Sequence, residues 1–247
     1  MTGRIRPAAA LALAALTALA VAGCEVALGP ETLVRGSGNL KTESREVHGF
    51  DRVELSGVGT LNLTEGSTES LTVQAEDNLL PSLRSEVRGG ALLLGPQPGT
   101  QFSPTRPISY DLTVQRLSAL SVTGAADVRS SGLSADQLSL TVTGAAHVDL
   151  GRVTASALTV VVTGAGEVKA AGQAPQQSVT ISGAGRYEAG DLASRQATVD
   201  VNGAGTCAVR VSDHLKVSIT GAGSVSYTGS PAIDQQVTGT GRLTKAG

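Results

Sequence analysis

The chain has 247 residues, with 19 Lys and Arg against 21 Asp and Glu and a formal net charge of −2. That balance leaves no basic footprint for nucleic acid. Aromatic residues make up 2%, Trp is absent and Gly reaches 31. A globular core of this length normally uses aromatic fillers, so the composition favours a narrow interior layered with Val, Leu, Ile and Ala.

Residues 1–23 read as a lipoprotein signal peptide. Arg4 and Arg6 form a positive n-region, and Pro7 to Ala22 is an almost unbroken run of Ala, Leu, Val and Thr. The run is short for a membrane span and suits a secretory apolar segment. It ends in Val21-Ala22-Gly23-Cys24, which resembles the bacterial lipobox: an apolar residue, two small ones that let a peptidase reach the bond, then a Cys that receives the lipid. Cys24 is then the lipid attachment site, and two or three acyl chains hold a protein on a membrane where one does not. The competing reading is an ordinary signal peptide with a chance Cys. Glu25, rather than Asp, after the Cys points to the outer membrane or cell surface rather than the cytoplasmic membrane. Residues 24–36 contain Gly and Pro without periodicity and read as a tether. Residues 37–247 read as one domain.

Within that domain one pattern returns, at Gly57 and then at Gly124, Gly144, Gly164, Gly183, Gly203, Gly221 and Gly239, the last seven at steps of 18 to 20 residues. Two and four residues before the later glycines stand apolar pairs: Leu120/Val122, Leu140/Val142, Val160/Val162, Val179/Ile181, Val199/Val201 and Val217/Ile219. Small polar residues lie between them, so each is a strand with one buried face. Glycine turns the chain, and four residues later an apolar side chain returns at Val128, Val148, Val168, Tyr187, Cys207, Val225 and Leu243. The pattern predicts an all-β solenoid, a single-stranded parallel β-helix with coils of about 19 residues stacked roughly 4.8 Å apart. The interval from Gly57 to Gly124 has room for three more coils and a loop at Gly95 to Pro107, giving about ten coils. Pro96, Pro98, Pro104 and Pro107 cannot donate to a ladder, so that loop is expected outside the stack. It either carries specificity or is a tolerated insertion. The last copy has Gln235 at an apolar place, with Arg242 and Lys245 beyond. It reads as an end cap that blocks edge pairing, or as a docking surface.

Three segments precede the regular repeats: Phe50-Asp51-Arg52-Val53-Glu54-Leu55-Ser56-Gly57, Ala75-Glu76-Asp77-Asn78-Leu79-Leu80-Pro81 and Val87-Arg88-Gly89-Gly90-Ala91-Leu92-Leu93-Leu94-Gly95. In this order, followed by the glycine repeats, they resemble the head-GIN-domain family of autotransporter adhesin heads, over about Gly36 to Gly247. The resemblance implies a right-handed β-helix and an adhesin-like role. It carries over no catalytic residue.

Few residues are candidates for chemistry. Cys207 falls in an inward column and reads as core filler, or as a lone reactive thiol. His147 falls between Asp127 and Glu167 in an outward column. A straight column converges poorly on a metal, so a solvated mixed-charge face is the plainer reading. Asp127 and Glu167, two coils or about 9.6 Å apart, sit at the wide limit for a glycosidase pair, and Glu76 and Asp77 point to opposite faces of any strand. The expectation is therefore no enzyme, no metal and no cofactor.

The most ordered outward feature is the column just before each glycine: Ser56, Thr123, Thr143, Thr163, Ser182, Asn202, Thr220 and Thr238. A second column reads Ser121, Thr141, Val161, Thr180, Asp200, Ser218 and Gln236. The plainer reading is structural, because Thr is a good strand residue and stacked hydroxyls solvate a sheet face readily. The functional reading is a repetitive polar surface that binds a repetitive partner such as a glycan, or ice, an option weakened by Asp200, Asn202 and Gln236. The expectation is a non-catalytic envelope lipoprotein, an adhesin or glycan-binding module. The alternative is a structural envelope protein that packs through its faces or terminal coil.

Overall fold

The computed structural model describes residues 32–246. The signal segment, Val21-Ala22-Gly23, Cys24 and the start of the tether lie outside the described residues. The protein is 75% strand and forms a β-solenoid of about 6 turns.

The first strands are β1 (Thr32–Arg35), β2 (Leu40–Arg45), β3 (Arg52–Glu65), β4 (Ser70–Glu76), β5 (Leu83–Arg88), β6 (Ala91–Pro96), β7 (Thr100–Ser103) and β8 (Ser109–Val114). The stretch expected to be a tether already contains β1, which pairs in parallel with β7 from Thr32 and Thr100 to Arg35 and Ser103. The expected proline loop therefore contains strand, although β1 and β7 form a two-stranded sheet of their own outside the main one. Gly95 and Pro96 close β6, and Thr100–Ser103 is hydrogen-bonded to β1.

Gly57 stacks directly on Gly124, which corrects the expectation of three coils between them. Residues beyond β3 turn back to its other edge. There β6 pairs in parallel with Arg52–Leu55 and β8 with Thr60–Glu65. This coil is later in sequence but earlier in the stack. Antiparallel strands then close the end: β4 lies on β8, β2 lies on β4, and β5 forms a hairpin with β6. The count of about ten coils fails for the same reason, because this segment spends its length on closure.

From there the chain winds regularly through β9 (Ala119–Ser130), β10 (Gly132–Gly144), β11 (His147–Gly164), β12 (Glu167–Gln173), β13 (Gln176–Gly183), β14 (Arg186–Gly203), β15 (Thr206–Gly221), β16 (Ser224–Thr228), β17 (Ala232–Gly239) and β18 (Arg242–Lys245). All neighbours in this run are parallel, and each repeat glycine lies opposite the next. Alternation drives the burial. Val142, Val162, Ile181 and Val201 are each 0% exposed, while Thr143, Thr163 and Asn202 beside them are exposed.

The corners need glycine. Gly164 has φ +109°, and a Cβ there would lie 2.6 Å from the Gly144 carbonyl oxygen. That oxygen accepts the Ala165 amide at 2.8 Å, so the corner is part of the ladder and has no room for a side chain. Inside, Cys207 stacks between Tyr187 and Val225. Burial pushes its thiol up to about 12, so it sits as a small apolar filler.

Candidate binding face

The strand that precedes each corner glycine places its last polar side chain outward. Register brings these residues into one column, Ser56, Thr123, Thr143, Thr163, Ser182, Asn202, Thr220 and Thr238, in that order. The column two residues earlier is also in register, from Ser121 to Gln236. Its members are half-buried down to Ser218, so the outer column stands proud of it. Ser56 Oγ donates to the Leu94 carbonyl at 3.2 Å. Among the described residues, the side chains of this column from Thr123 to Thr238 make no hydrogen bond to another group. They form a row of unspent donors and acceptors at the coil spacing of about 4.8 Å.

The strand after the corner carries a different surface. Asp127, His147, Glu167 and Arg186 stack in register, as do Arg129, Asp149, Lys169 and Glu188 beside them. The acid-histidine-acid column is thus formed, and from His147 onward its charged groups pair with one another and with the column beside it. His147 Nε2 lies 3.2 Å from Glu167, Lys169 lies 3.2 Å from Glu167 and 3.5 Å from Glu188, and Arg186 lies 3.7 Å from Glu188. The hydrogen bond and charge of Glu167, followed by the charge of Glu188, hold the Lys169 ammonium above the usual lysine value. The depression above this lattice, of about 400 Å³, is open. Among the described residues no group of three or more His, Cys, Asp or Glu is placed to hold a metal ion.

One polar site was not legible in sequence. Glu76 ends β4 with 0% exposure. Its carboxylate accepts the Gly38 amide at 2.6 Å, the Thr105 amide at 2.9 Å and the Thr105 hydroxyl at 2.6 Å. Burial works to raise its pKa, but the Thr105 hydroxyl and the amides of Thr105, Gly38 and Arg106 outweigh it and hold the carboxyl below its ordinary value. Asp77, exposed beside it, accepts the Ser37 hydroxyl and, at 2.8 Å, the Asn78 amide. Asn78 in turn accepts the Ser37 amide at 2.9 Å and donates to the Arg35 carbonyl at 2.7 Å. The Ala75-Glu76-Asp77-Asn78 run is therefore a clasp that ties the first strands and the segment after β7 to β4. Only the alternation of burial at Glu76 and Asp77 could have hinted at it. Gln177 is a second buried polar residue, in the column of Leu158 and Ala197, and it donates to the Tyr187 hydroxyl at 2.9 Å.

The fold and its surfaces define a parallel β-solenoid with a polar column on one face and a partly ion-paired charge lattice on another. Residues 49–231 match the family described as putative auto-transporter adhesin, head GIN domain, and the chain belongs to that family. Membership of an adhesin-like family makes it an exported or surface protein. Among solved structures, a putative adhesin from Bacteroides fragilis NCTC 9343 is similar, with a TM-score of 0.80 and 24% identity over 86% of this chain and 100% of that one. A putative lipid binding protein from Parabacteroides distasonis ATCC 8503 aligns with a TM-score of 0.75 and 21% identity over 87% of this chain and 100% of that one. A putative adhesin from the same organism aligns with a TM-score of 0.70 and 23% identity over 87% and 100%. These likenesses establish the shared fold. No curated protein matches the chain.

Proposed function

We propose that the protein is a non-catalytic lipoprotein of the cell envelope that binds glycan through the outer polar column. The observation that carries this reading is the in-register row Thr123, Thr143, Thr163, Ser182, Asn202, Thr220 and Thr238, exposed except at half-buried Ser182, whose side chains no hydrogen bond among the described residues uses. A repeating polymer meets the same group at each coil, so weak contacts add along the axis. Cys24 carries the lipid on this reading, with Val21, Ala22 and Gly23 as its processing signal, and the anchor faces the outer membrane or cell surface. The adhesin description of the family supports the placement outside the cytoplasm.

The test pairs the full chain with a variant in which Thr143, Thr163 and Thr220 are changed to Lys, against purified envelope polysaccharides and whole cells. The three positions are exposed, so circular dichroism should be unchanged. Binding by the parent and loss in the variant supports the reading. Equal binding by both moves the site off this face, and binding by neither leaves the packing role of a structural envelope protein. For the anchor, Cys24→Ser should abolish incorporation of radiolabelled fatty acid and release the protein from membranes. Retained labelling would sink the lipobox assignment.

A further inference from the structure

The two ends of the solenoid are finished differently. At one end the outermost strand is β2, which carries Lys41, Glu43 and Arg45 at alternate positions, the usual protection of an edge against a second chain. At the other end β17 pairs only with β15 among the described residues. All eight of its residues are exposed, Ile233 by 42% and Val237 by 40%, in the columns of buried Leu215 and Ile219. This strand is regular where an end cap was expected. Its single charge is Asp234, which lies opposite Lys216 of β15. It also lies beyond the residues 49–231 that match the family.

We propose that β17 joins two copies of this chain, edge to edge and antiparallel, about a two-fold axis through Gln235. The pattern itself selects this occupant and this register. Ile233, Gln235 and Val237 share the inner face and Asp234 and Gln236 the outer. Centred on Gln235, Ile233 meets Val237 of the second copy, Gln235 meets its own copy, and Asp234 meets Gln236. Each contact is complementary. Centring on Asp234 sets two like charges face to face, and centring on Gln236 sets Gln235 against Val237. A shift by one residue puts the inner face against the outer. The two-fold arrangement is closed, so assembly stops at two. It covers the apolar side chains of β17 and pairs that strand's free edge, while β18, which pairs only with β16 among the described residues, stays outside the joint.

The test is site-directed crosslinking of the full chain in detergent. Directly opposed antiparallel residues lie about 4.5–5.5 Å apart at Cα, within the span of a disulfide. Under mild oxidation Gln235→Cys should give a covalent dimer. Wild type, and Lys216→Cys one coil inward, should not. Sedimentation should give twice the protomer mass for wild type. The double change Ile233→Lys and Val237→Lys should halve that mass and abolish the Gln235→Cys crosslink, with an unchanged dichroism spectrum. A protomer mass for wild type, a mass above two protomers, or a Gln235→Cys yield no higher than that of Lys216→Cys would each overturn the proposal. If the double lysine variant loses its fold, the crosslink yields of the single cysteine variants still decide it.

Discussion

Replacing Gly164 by Ala tests whether the glycine corners hold the coils in register. At φ +109° an L-residue is strained, at a cost of about 1–3 kcal/mol. The new Cβ would stand 2.6 Å from the Gly144 carbonyl oxygen and 3.3 Å from the Gly144 nitrogen. These are backbone atoms, and the oxygen holds the Ala165 amide at 2.8 Å, so relief means opening the ladder. Overpacking of this kind adds about 1–3 kcal/mol, and a weakened hydrogen bond about 0.5–1.5 kcal/mol. Together they predict a loss of roughly 2.5–7.5 kcal/mol, a large part of the ~5–15 kcal/mol that holds a domain. Gly166→Ala is the graded control. Gly166 lacks a positive φ, and its Cβ would meet the end of a side chain, Val142 Cγ1, at 2.7 Å, so about 1–3 kcal/mol is expected. Ala165→Ser, exposed at the same corner, should change stability by less than about 0.5 kcal/mol. Denaturant midpoints rank the three, and hydrogen exchange at the Ala165 and Ala184 amides locates the damage, since stacked repeats open locally. A Gly164→Ala midpoint no lower than that of Ala165→Ser would refute the reasoning.

Three further predictions follow from side chains. Glu76→Gln should lower the melting temperature at neutral pH. Because the folded pKa of Glu76 lies below its ordinary value, its contribution is present above the unfolded pKa and fades as pH falls through the folded one, so the gap from wild type should narrow on acidification; a pH-independent gap contradicts this. Cys207, with its thiol pushed up to about 12 by burial, should resist thiol reagents at pH 8 until the protein is denatured, and rapid native labelling would contradict its place in the core. His147→Ala removes an exposed contact of 3.2 Å to Glu167 and should cost less than about 1 kcal/mol by thermal denaturation; a loss well above that would mean the column is structural.

The coils were legible because each repeats the same local rule. Val142, Thr143 and Gly144 say inward, outward and turn, and Val162, Thr163 and Gly164 say it again, so register follows from counting. The column Asp127, His147, Glu167 was legible for the same reason. The order of the first coils was not. Alternation in Leu71, Val73 and Ala75 marks a strand, but nothing local tells whether it runs parallel or antiparallel, or that Leu92 and Leu94 lie on the far side of Val53 and Leu55. The buried carboxylate of Glu76 depends on amides at Gly38 and Thr105, far away in sequence. The prolines in residues 95–107 do keep Thr100–Ser103 out of the main sheet, but that stretch holds no proline itself and forms a separate two-stranded sheet with β1, which nothing local announces.

The most direct test of the functional account is the affinity of the full chain for purified envelope polysaccharide, measured by titration beside the variant with Thr143, Thr163 and Thr220 changed to Lys. The account predicts saturable binding by the parent and at least about a tenfold loss, ~1.4 kcal/mol, in the folded variant. Equal affinity in the two proteins would contradict a binding role for the polar column.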